Sequence, residues 1–327
     1  MGIKKLINKI KNKFIVYYPK PSDIIIDISN ICNAQCPFCS RQLSETKRNN
    51  LMEASTFYSI MKQLEKIPSI KTISLGAWGE PLAHPKFDEF VDYIKSKGYK
   101  IFIPTNFSLA NKHFNSLLKC DHILISIEGW DKESYEYLRK NLSFEKTLQN
   151  IKDFDNIIKN LEQKPFREIN FLVTKNSNVE KFFDCWKPFV DLIRVAPLLP
   201  LITFKKDKFQ FIVNTELKNS MICLNKLNKN TCMQPFNTIV VRADGNLALC
   251  CSDYDSTIDF GNYKNLKKSF FKNKNLLKIR KELKSGNLNI CKNCFENFNV
   301  DKSSILNEFP ILQESINDKK VLIMERR

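Results

Sequence analysis

The chain has 327 residues, 43% hydrophobic and 27% charged, which suffices for a sizeable core plus a second unit. The formal charge of +17 comes from Lys spread along the whole chain, with no zinc-finger spacing and no aromatic RNA-binding signature, so no nucleic-acid partner is expected. Eleven cysteines in a chain this long, several at C-x2-C spacing, indicate metal rather than a disulfide framework. The start Met1-Gly2-Ile3-Lys4-Lys5-Leu6 is not a secretory signal, Leu6 stands where myristoylation needs Ser or Thr, and no apolar run reaches the roughly 20 residues of a membrane span. A reducing, cytoplasmic location follows as the expectation.

Residues 1–20 read as a basic amphipathic helix, with Ile3, Leu6, Ile7, Ile10 and Phe14 on one face and lysines around the rest. Packing against its own domain is the expected role, and contact of residues 3–14 with an anionic membrane surface is the alternative. Asp23–Ser29 follows as an alternating β-branched strand. It leads into Cys32-Asn33-Ala34-Gln35-Cys36-Pro37-Phe38-Cys39, a C-x3-C-x2-C triplet. Three thiolates on one short loop can hold three irons of a [4Fe–4S] cluster, which ordinarily takes four cysteines, and so leave one iron open to a reacting ligand. Zinc is the competing reading, but zinc wants a fourth ligand close by. Before Cys120 only His84 and His113 are on offer.

Strands are then expected at Lys71–Leu75, Lys100–Pro104, His122–Ile127, Glu168–Val173 and Leu192–Val195. Helical periodicity occupies Ala54–Ile67, Phe87–Lys97, Ser134–Leu161 and Val179–Val190. Repeated βα units with right-handed crossovers make a parallel sheet that curls with its helices outside. The fold class is therefore α/β, an incomplete (β/α)6 barrel, whose reactive groups belong on loops at the C-terminal ends of strands. The cysteine triplet obeys that rule.

After Pro200 the alternation stops. Asp244-Gly245 between two alternating runs signals a hairpin with a type I′ turn. A basic helical stretch, Leu266 to Lys284, precedes Cys291-Lys292-Asn293-Cys294. Cys232, Cys250, Cys291 and Cys294 provide four thiolates, a full set for a closed cluster, with structural zinc as the alternative. Cys251 competes with Cys250 for its place. Cys120, Cys185 and Cys223 are expected to be buried thiols.

The triplet with Phe38 before its last cysteine resembles the radical S-adenosylmethionine (SAM) enzymes. Gly76-Ala77-Trp78-Gly79-Glu80-Pro81, after the second strand, is similar to that family's Gly-Glu-Pro segment, which holds the SAM amino group, and so suggests Gly79, Glu80 and Pro81. Thr105-Asn106 resembles the Thr-Asn that often ends the third strand. Leu124-Ile125-Ser126-Ile127-Glu128-Gly129 resembles the Ser-x-Asp-Gly segment of the peptide- and sugar-modifying branch, with Glu128 in place of the aspartate. The resemblance puts Ser126 on the SAM ribose, Arg139 on its carboxylate and Val173 on the adenine. The region after Pro200 resembles a SPASM or shorter twitch domain, a small α+β cysteine-rich unit carrying one auxiliary [4Fe–4S] cluster on Cys232, Cys250, Cys291 and Cys294.

That resemblance divides the chain into residues 1–20, a core barrel over 21–200, an auxiliary-cluster domain over 201–300 and a tail over 301–327. It implies reductive cleavage of SAM and abstraction of a substrate hydrogen atom, with flavodoxin or ferredoxin as electron donor. A closed second cluster suits oxidation of the substrate radical, while a thiol returning hydrogen from Cys120, Cys185, Cys223 or Cys251 would make an epimerase. Only 31 residues precede Cys32, fewer than the roughly 50 of a small peptide-recognition domain. A carbohydrate, cyclitol or nucleotide-sugar substrate is therefore expected, and a peptide is the alternative. A non-catalytic, metal-stapled binding protein is the reading from another class.

Overall fold

The computed structural model describes residues 21–44, 49–198, 201–205, 208–212, 226–229, 232–255, 258, 261–266, 274–285, 287–288, 291, 298–300 and 303–323. The helix expected over residues 1–20, its suggested membrane contact, Cys223 and Cys294 lie outside these residues.

Six β-branched runs become the parallel strands β1 (Asp23–Ile26), β2 (Thr72–Leu75), β3 (Lys100–Thr105), β4 (His122–Ser126), β5 (Phe166–Val173) and β6 (Leu192–Pro197), neighbours in chain order. Period-two alternation divides each strand between two environments. On β5, Ile169, Phe171 and Val173 are buried in the main core, and Phe171 stacks on Phe182 of helix Val179–Trp186 with ring centroids 3.5 Å apart. Asn170 and Leu172, on the other face, line an internal cavity.

The crossover helices bury apolar stripes at helical spacing. Helix Ala54–Leu64 inserts Phe57, Ile60, Met61 and Leu64, and Phe57 stacks at 3.9 Å on Phe90 of helix Phe87–Ser96. Full burial of one such ring stabilises the fold by about 1.5–3 kcal/mol.

Two expectations change in detail. The helix expected over Ser134–Leu161 is two helices, Lys132–Leu138 and Phe144–Ile158. The first starts with a capping box between Asp131 and Ser134. It ends at Arg139, Asn141 takes a left-handed backbone conformation (φ 72°), and the Ser143 hydroxyl caps the second helix by accepting from Lys146 N. The Asp-Gly hairpin forms, but only Gly245 of its turn has positive φ, at 82°. Arg242 N donates to Asn246 O, and Gly245 N to Arg242 O. This is the three-residue loop with a left-handed glycine, not a type I′ turn.

Further strands fall after Pro200. β7 (Leu201–Lys205) pairs antiparallel with β8 (Lys208–Ile212), and β9 (Lys226–Lys229) with β12 (Phe298–Val300). β10 (Thr238–Val241) and β11 (Leu247–Ala248) form the hairpin, and β13 is Val321–Ile323. β10 lies parallel to β1, and β13 lies parallel to β6. The two edges that closure would join are thus occupied, in a nine-stranded order β11-β10-β1-β2-β3-β4-β5-β6-β13. Among the described residues no helix is long and apolar enough to cross a membrane.

Candidate functional site

A cavity of about 400 Å³ opens at the C-terminal ends of the parallel strands. The loop after β1 brings Cys32, Cys36 and Cys39 to it, with Phe38 beside them. Cys39 N donates to Cys36 O, closing the turn that sets these two cysteines side by side. Behind the loop, Gln35 N donates to Lys140 O and Asn141 Nδ2 to Asn33 O at 2.8 Å. The break between the two helices is therefore what supports the cysteine loop.

Donors also face the sulfurs. Arg139 Nη1 lies 3.4 Å from Cys36 Sγ, and Asn106 Nδ2 lies 3.9 Å from Cys32 Sγ. The Arg139 guanidinium sits 5.3 Å from the Phe38 ring centroid, and its Nε and Nη2 donate to the two carboxylate oxygens of Glu128. Burial raises the Glu128 pKa against the pull of Arg139. Burial also opposes the Arg139 charge, but Glu128 and Cys36 overcome it and hold the guanidinium protonated.

The loop after β2 forms the opposite wall. Asp27, at the end of β1, accepts from Ala77 N at 3.0 Å, Trp78 N at 3.2 Å and Asn30 Nδ2 at 2.7 Å. Burial lifts its pKa to about 6 despite these donors. Gly79 has no room for a side chain: a Cβ there would stand 1.9 Å from Ser29 O and 2.8 Å from Ile31 O. Glu80 is buried, accepting from Leu82 N, Thr105 Oγ1 and Asn106 N. Burial raises its pKa, opposed by those three bonds.

Of the site residues expected from sequence, Cys32, Cys36, Cys39, Gly79, Glu80, Ser126 and Arg139 share this cavity. Pro81 and Val173 are not among its lining residues. Pro81 is buried at the start of the short helix Pro81–Ala83, and Val173 is fully buried in the main core. The β5 side chains that do line the cavity are Asn170 and Leu172. Asn170 went unnoticed in the sequence: it lies on the strand face opposite Val173, beside Ser126, its register partner. Its Oδ1 is buried without a hydrogen-bond partner.

In the second cysteine set, Cys250 and Cys291 pack against a small separate core of Phe236, Leu249, Ile279, Leu283 and Leu288. Cys232 stands two residues before helix Gln234–Asn237, which carries Phe236. Two expected ligands thus meet at one apolar cluster, to which helix Lys274–Lys284 contributes Ile279 and Leu283. Cys251 instead offers its carbonyl to Trp78. Neither Cys120 nor Cys185 lines the cavity. The buried Cys120 donates to Ser116 O, whereas Cys185 is only half-buried, against expectation, and that partial burial pushes its thiol up to about 11.

The donor set at the cavity fits an iron–sulfur cluster. Three cysteines face one space, N–H groups of Arg139 and Asn106 point at two of the sulfurs, and such bonds are characteristic of cluster thiolates. Burial, then the charge of Glu80, pushes the Cys32 thiol up to about 12, so loading a metal there must displace protons. Among the described residues no three His, Cys, Asp or Glu side chains are arranged around a single metal ion.

Comparison with known proteins agrees. The radical SAM superfamily model matches residues 26–178, and the SPASM model, an iron–sulfur cluster-binding domain, matches residues 232–295. The S-adenosyl-L-methionine-dependent 2-deoxy-scyllo-inosamine dehydrogenase of Niallia circulans is 22% identical over 277 residues, 84% of this chain and 92% of that protein. A tungsten-containing aldehyde ferredoxin oxidoreductase cofactor-modifying protein of Pyrococcus furiosus is 34% identical over 86 residues, 26% of this chain. The PqqA peptide cyclase of Streptomyces rochei is 24% identical over 114 residues, 34% of this chain. The chain spans about a quarter of the Pyrococcus protein's length (24%) and under a third of the cyclase's (31%).

Solved structures show the same fold. BtrN in complex with AdoMet and 2-DOIA superposes with a TM-score of 0.54 at 20% identity, over 84% of this chain and 93% of that one. Streptococcus suis SuiB bound to its precursor peptide SuiA gives 0.62 at 17%, over 98% and 79%. AnSMEcpe with bound AdoMet gives 0.62 at 17%, over 91% and 100%.

Fold and site together define a parallel α/β barrel protein with a three-cysteine loop at the C-terminal ends of its strands. The chain belongs to the radical SAM superfamily and carries a C-terminal SPASM-type iron–sulfur domain. These two domains imply a [4Fe–4S] cluster that binds SAM, SAM itself and an auxiliary cluster.

Proposed function

We propose that the chain oxidises a carbohydrate-like substrate, an alcohol of the cyclitol or sugar class, by hydrogen-atom abstraction. The observation that carries this reading is the match along 92% of the 2-deoxy-scyllo-inosamine dehydrogenase, taken with the radical SAM and SPASM regions of this chain. When bound, the reduced cluster and SAM supply a 5′-deoxyadenosyl radical able to remove hydrogen from an unactivated C–H bond.

The chain's own residues hold and shape that site. Cys32, Cys36 and Cys39 are the cluster ligands, with Asn106 and Arg139 donating to two of their sulfurs. Gly79 and Glu80 form the wall for the SAM ammonium group. Glu80 is held there by three donors, which leave carboxylate lone pairs for a further one. Ser126 and Asn170, neighbours across β4 and β5, offer a hydroxyl and an unpartnered amide oxygen to the ribose. Phe38, Leu172, Ala196 and Leu198 supply apolar wall that excludes water from the reacting atoms. Cys232, Cys250, Cys291 and Cys294 are assigned to the auxiliary cluster, whose closed coordination suits one-electron transfer. The electron donor is a small redox protein such as flavodoxin or ferredoxin, and the reducing cytoplasm is the setting.

A peptide substrate is the second reading, favoured by the sequence match to the PqqA peptide cyclase. The experiment is anaerobic: reconstitute iron and sulfide, add SAM and a strong reductant, and measure 5′-deoxyadenosine for the wild type beside Cys36→Ala. About eight irons per chain and a product that vanishes in the variant are expected. Bound zinc without iron would instead support a metal-stapled binding protein. Amino-cyclitols and peptides are then offered in parallel, in heavy water. Solvent deuterium at the altered carbon would mark an epimerase in place of an oxidase.

A further inference from the structure

We propose that Trp78 is a positioning residue through which the cysteine-bearing segment after β11 sets the affinity of the SAM loop. The inference rests on the reading that the cavity binds SAM. Trp78 stands directly before Gly79 and Glu80 and lines the same cavity. Its ring nevertheless belongs to the other half of the chain. The indole N–H donates to Cys251 O at 2.7 Å, one residue past the expected ligand Cys250. Arg242, fully buried, places its guanidinium 4.3 Å from the Trp78 ring centroid. The same guanidinium donates to the carbonyls of Asp253 and Tyr254, and the Tyr254 ring meets Trp78 edge-on at 6.1 Å. One side chain of the SAM loop is thus gripped by a hydrogen bond, a cation–π contact and an edge-to-face contact, all from residues 242–254.

The loop has little freedom to absorb a shift at Trp78. Gly79 is pressed against the Ser29 and Ile31 carbonyls, Glu80 N donates to Ile31 O at 2.8 Å, and Trp78 N is tied to Asp27. Displacing the indole therefore moves the Gly79–Glu80 backbone or breaks one of these bonds. A shift of the Cys250–Tyr254 segment is transmitted along this route to the wall of the SAM site.

SAM is the probe for the test. Its dissociation constant is measured by equilibrium binding to the iron-reconstituted full chain for the wild type, Trp78→Phe, Cys250→Ala and the double variant. The electron paramagnetic resonance change on adding SAM to the reduced protein is recorded alongside. Trp78→Phe keeps a ring but loses the N–H donated to Cys251. Each single change is expected to weaken SAM binding about five- to tenfold, and the double variant to be no weaker than the worse single, the signature of a shared path. Tyr254→Leu, outside the cavity, is expected to weaken SAM binding in the same direction and guards against a folding defect in Trp78→Phe. Wild-type affinity in Cys250→Ala, or losses that multiply in the double variant, would overturn the coupling. A wild type loaded with iron that binds no SAM would overturn the reading of the cavity itself, and the inference with it.

Discussion

Arg139 donates to both carboxylate oxygens of Glu128 and, with its remaining terminal nitrogen, to Cys36 Sγ at 3.4 Å. One guanidinium thus links a buried acid to the cysteine loop, in a geometry that only the planar fork of arginine supplies. Glu128 reaches Arg139 in bidentate fashion and fixes which N–H is left for the sulfur.

Removing one partner of this buried pair leaves the other charged and unpaired. Arg139→Met is expected to cost about 3 kcal/mol of stability, measured by anaerobic urea unfolding. Glu128→Gln keeps the arginine but frees it to rotate away from Cys36. Loss of the N–H on sulfur makes the reduced cluster less favourable, so the midpoint potential should fall by about 60 mV, equivalent to tenfold in the one-electron equilibrium. An unchanged potential in a redox titration of Glu128→Gln would show that the Arg139–Cys36 contact does not tune the cluster.

Asp27 gives a pH dependence of defined sign. Burial raises its folded-state pKa from 3.8 to about 6, so the folded protein binds the proton more tightly than the unfolded chain. The residue therefore favours the native state fully below pH 4, and that contribution is lost as pH rises to 6 and beyond, amounting to about 3 kcal/mol. Asp27→Asn retains an acceptor for Ala77 N but cannot titrate. The stability of the variant relative to wild type should rise by about that amount between pH 4 and pH 7. A constant difference across this range would mean that Asp27 is ionised throughout, its charge held by Arg242 and the loop amides.

Gly79→Ala and Gly98→Ala separate steric necessity from backbone preference. At Gly98 (φ 76°) a methyl group meets nothing within 4 Å, so only the left-handed conformation is penalised, at about 1 kcal/mol. At Gly79 the methyl would sit 1.9 Å from Ser29 O, and the loop after β2 must move bodily. Gly79→Ala is expected to abolish the spectroscopic response of the cluster to SAM while iron still loads, and Gly98→Ala to retain it with a slightly lower melting temperature. Normal SAM binding by Gly79→Ala would remove this loop from the SAM site.

The six strands were legible because each is a short β-branched run whose partners follow in chain order. The division of the helix after β4 was not read, because the apolar positions Tyr135, Leu138 and Leu142 carry a helical rhythm of three and four residues into the gap. The signals against it are local: Asn141 accepts a left-handed conformation and Ser143 is a strong cap. That break matters for the site, since it presents Arg139 to Cys36 and Asn141 to the cysteine loop. The grip of Arg242 and Cys251 on Trp78 has no local signature at all. It exists because β10 adds beside β1 from more than 200 positions further along the chain, a pairing fixed by the tertiary structure alone. Val173 shows a smaller failure of the same kind, for choosing between it and Asn170 required knowing which face of β5 looks inward.

Cys250 and Cys251 are adjacent, and the structure distinguishes them. Cys250 packs with Cys291 against the small core formed by Phe236, Leu249 and the helix Lys274–Lys284. The Cys251 backbone carbonyl receives the Trp78 indole N–H. The two residues lie in the bend and turn that follow β11, and of the pair it is Cys250 that packs against the same core as Cys291. Cys250→Ala is expected to lose about four of the eight irons and the spectroscopic signal of one cluster, whereas Cys251→Ala keeps both. Iron and sulfide analysis of the two variants, with a Cys36→Ala/Cys250→Ala chain as the low-iron reference, decides the assignment. Equal loss in both single variants would mean that the segment is displaced as a unit, and loss only in Cys251→Ala would transfer the ligand role to that residue.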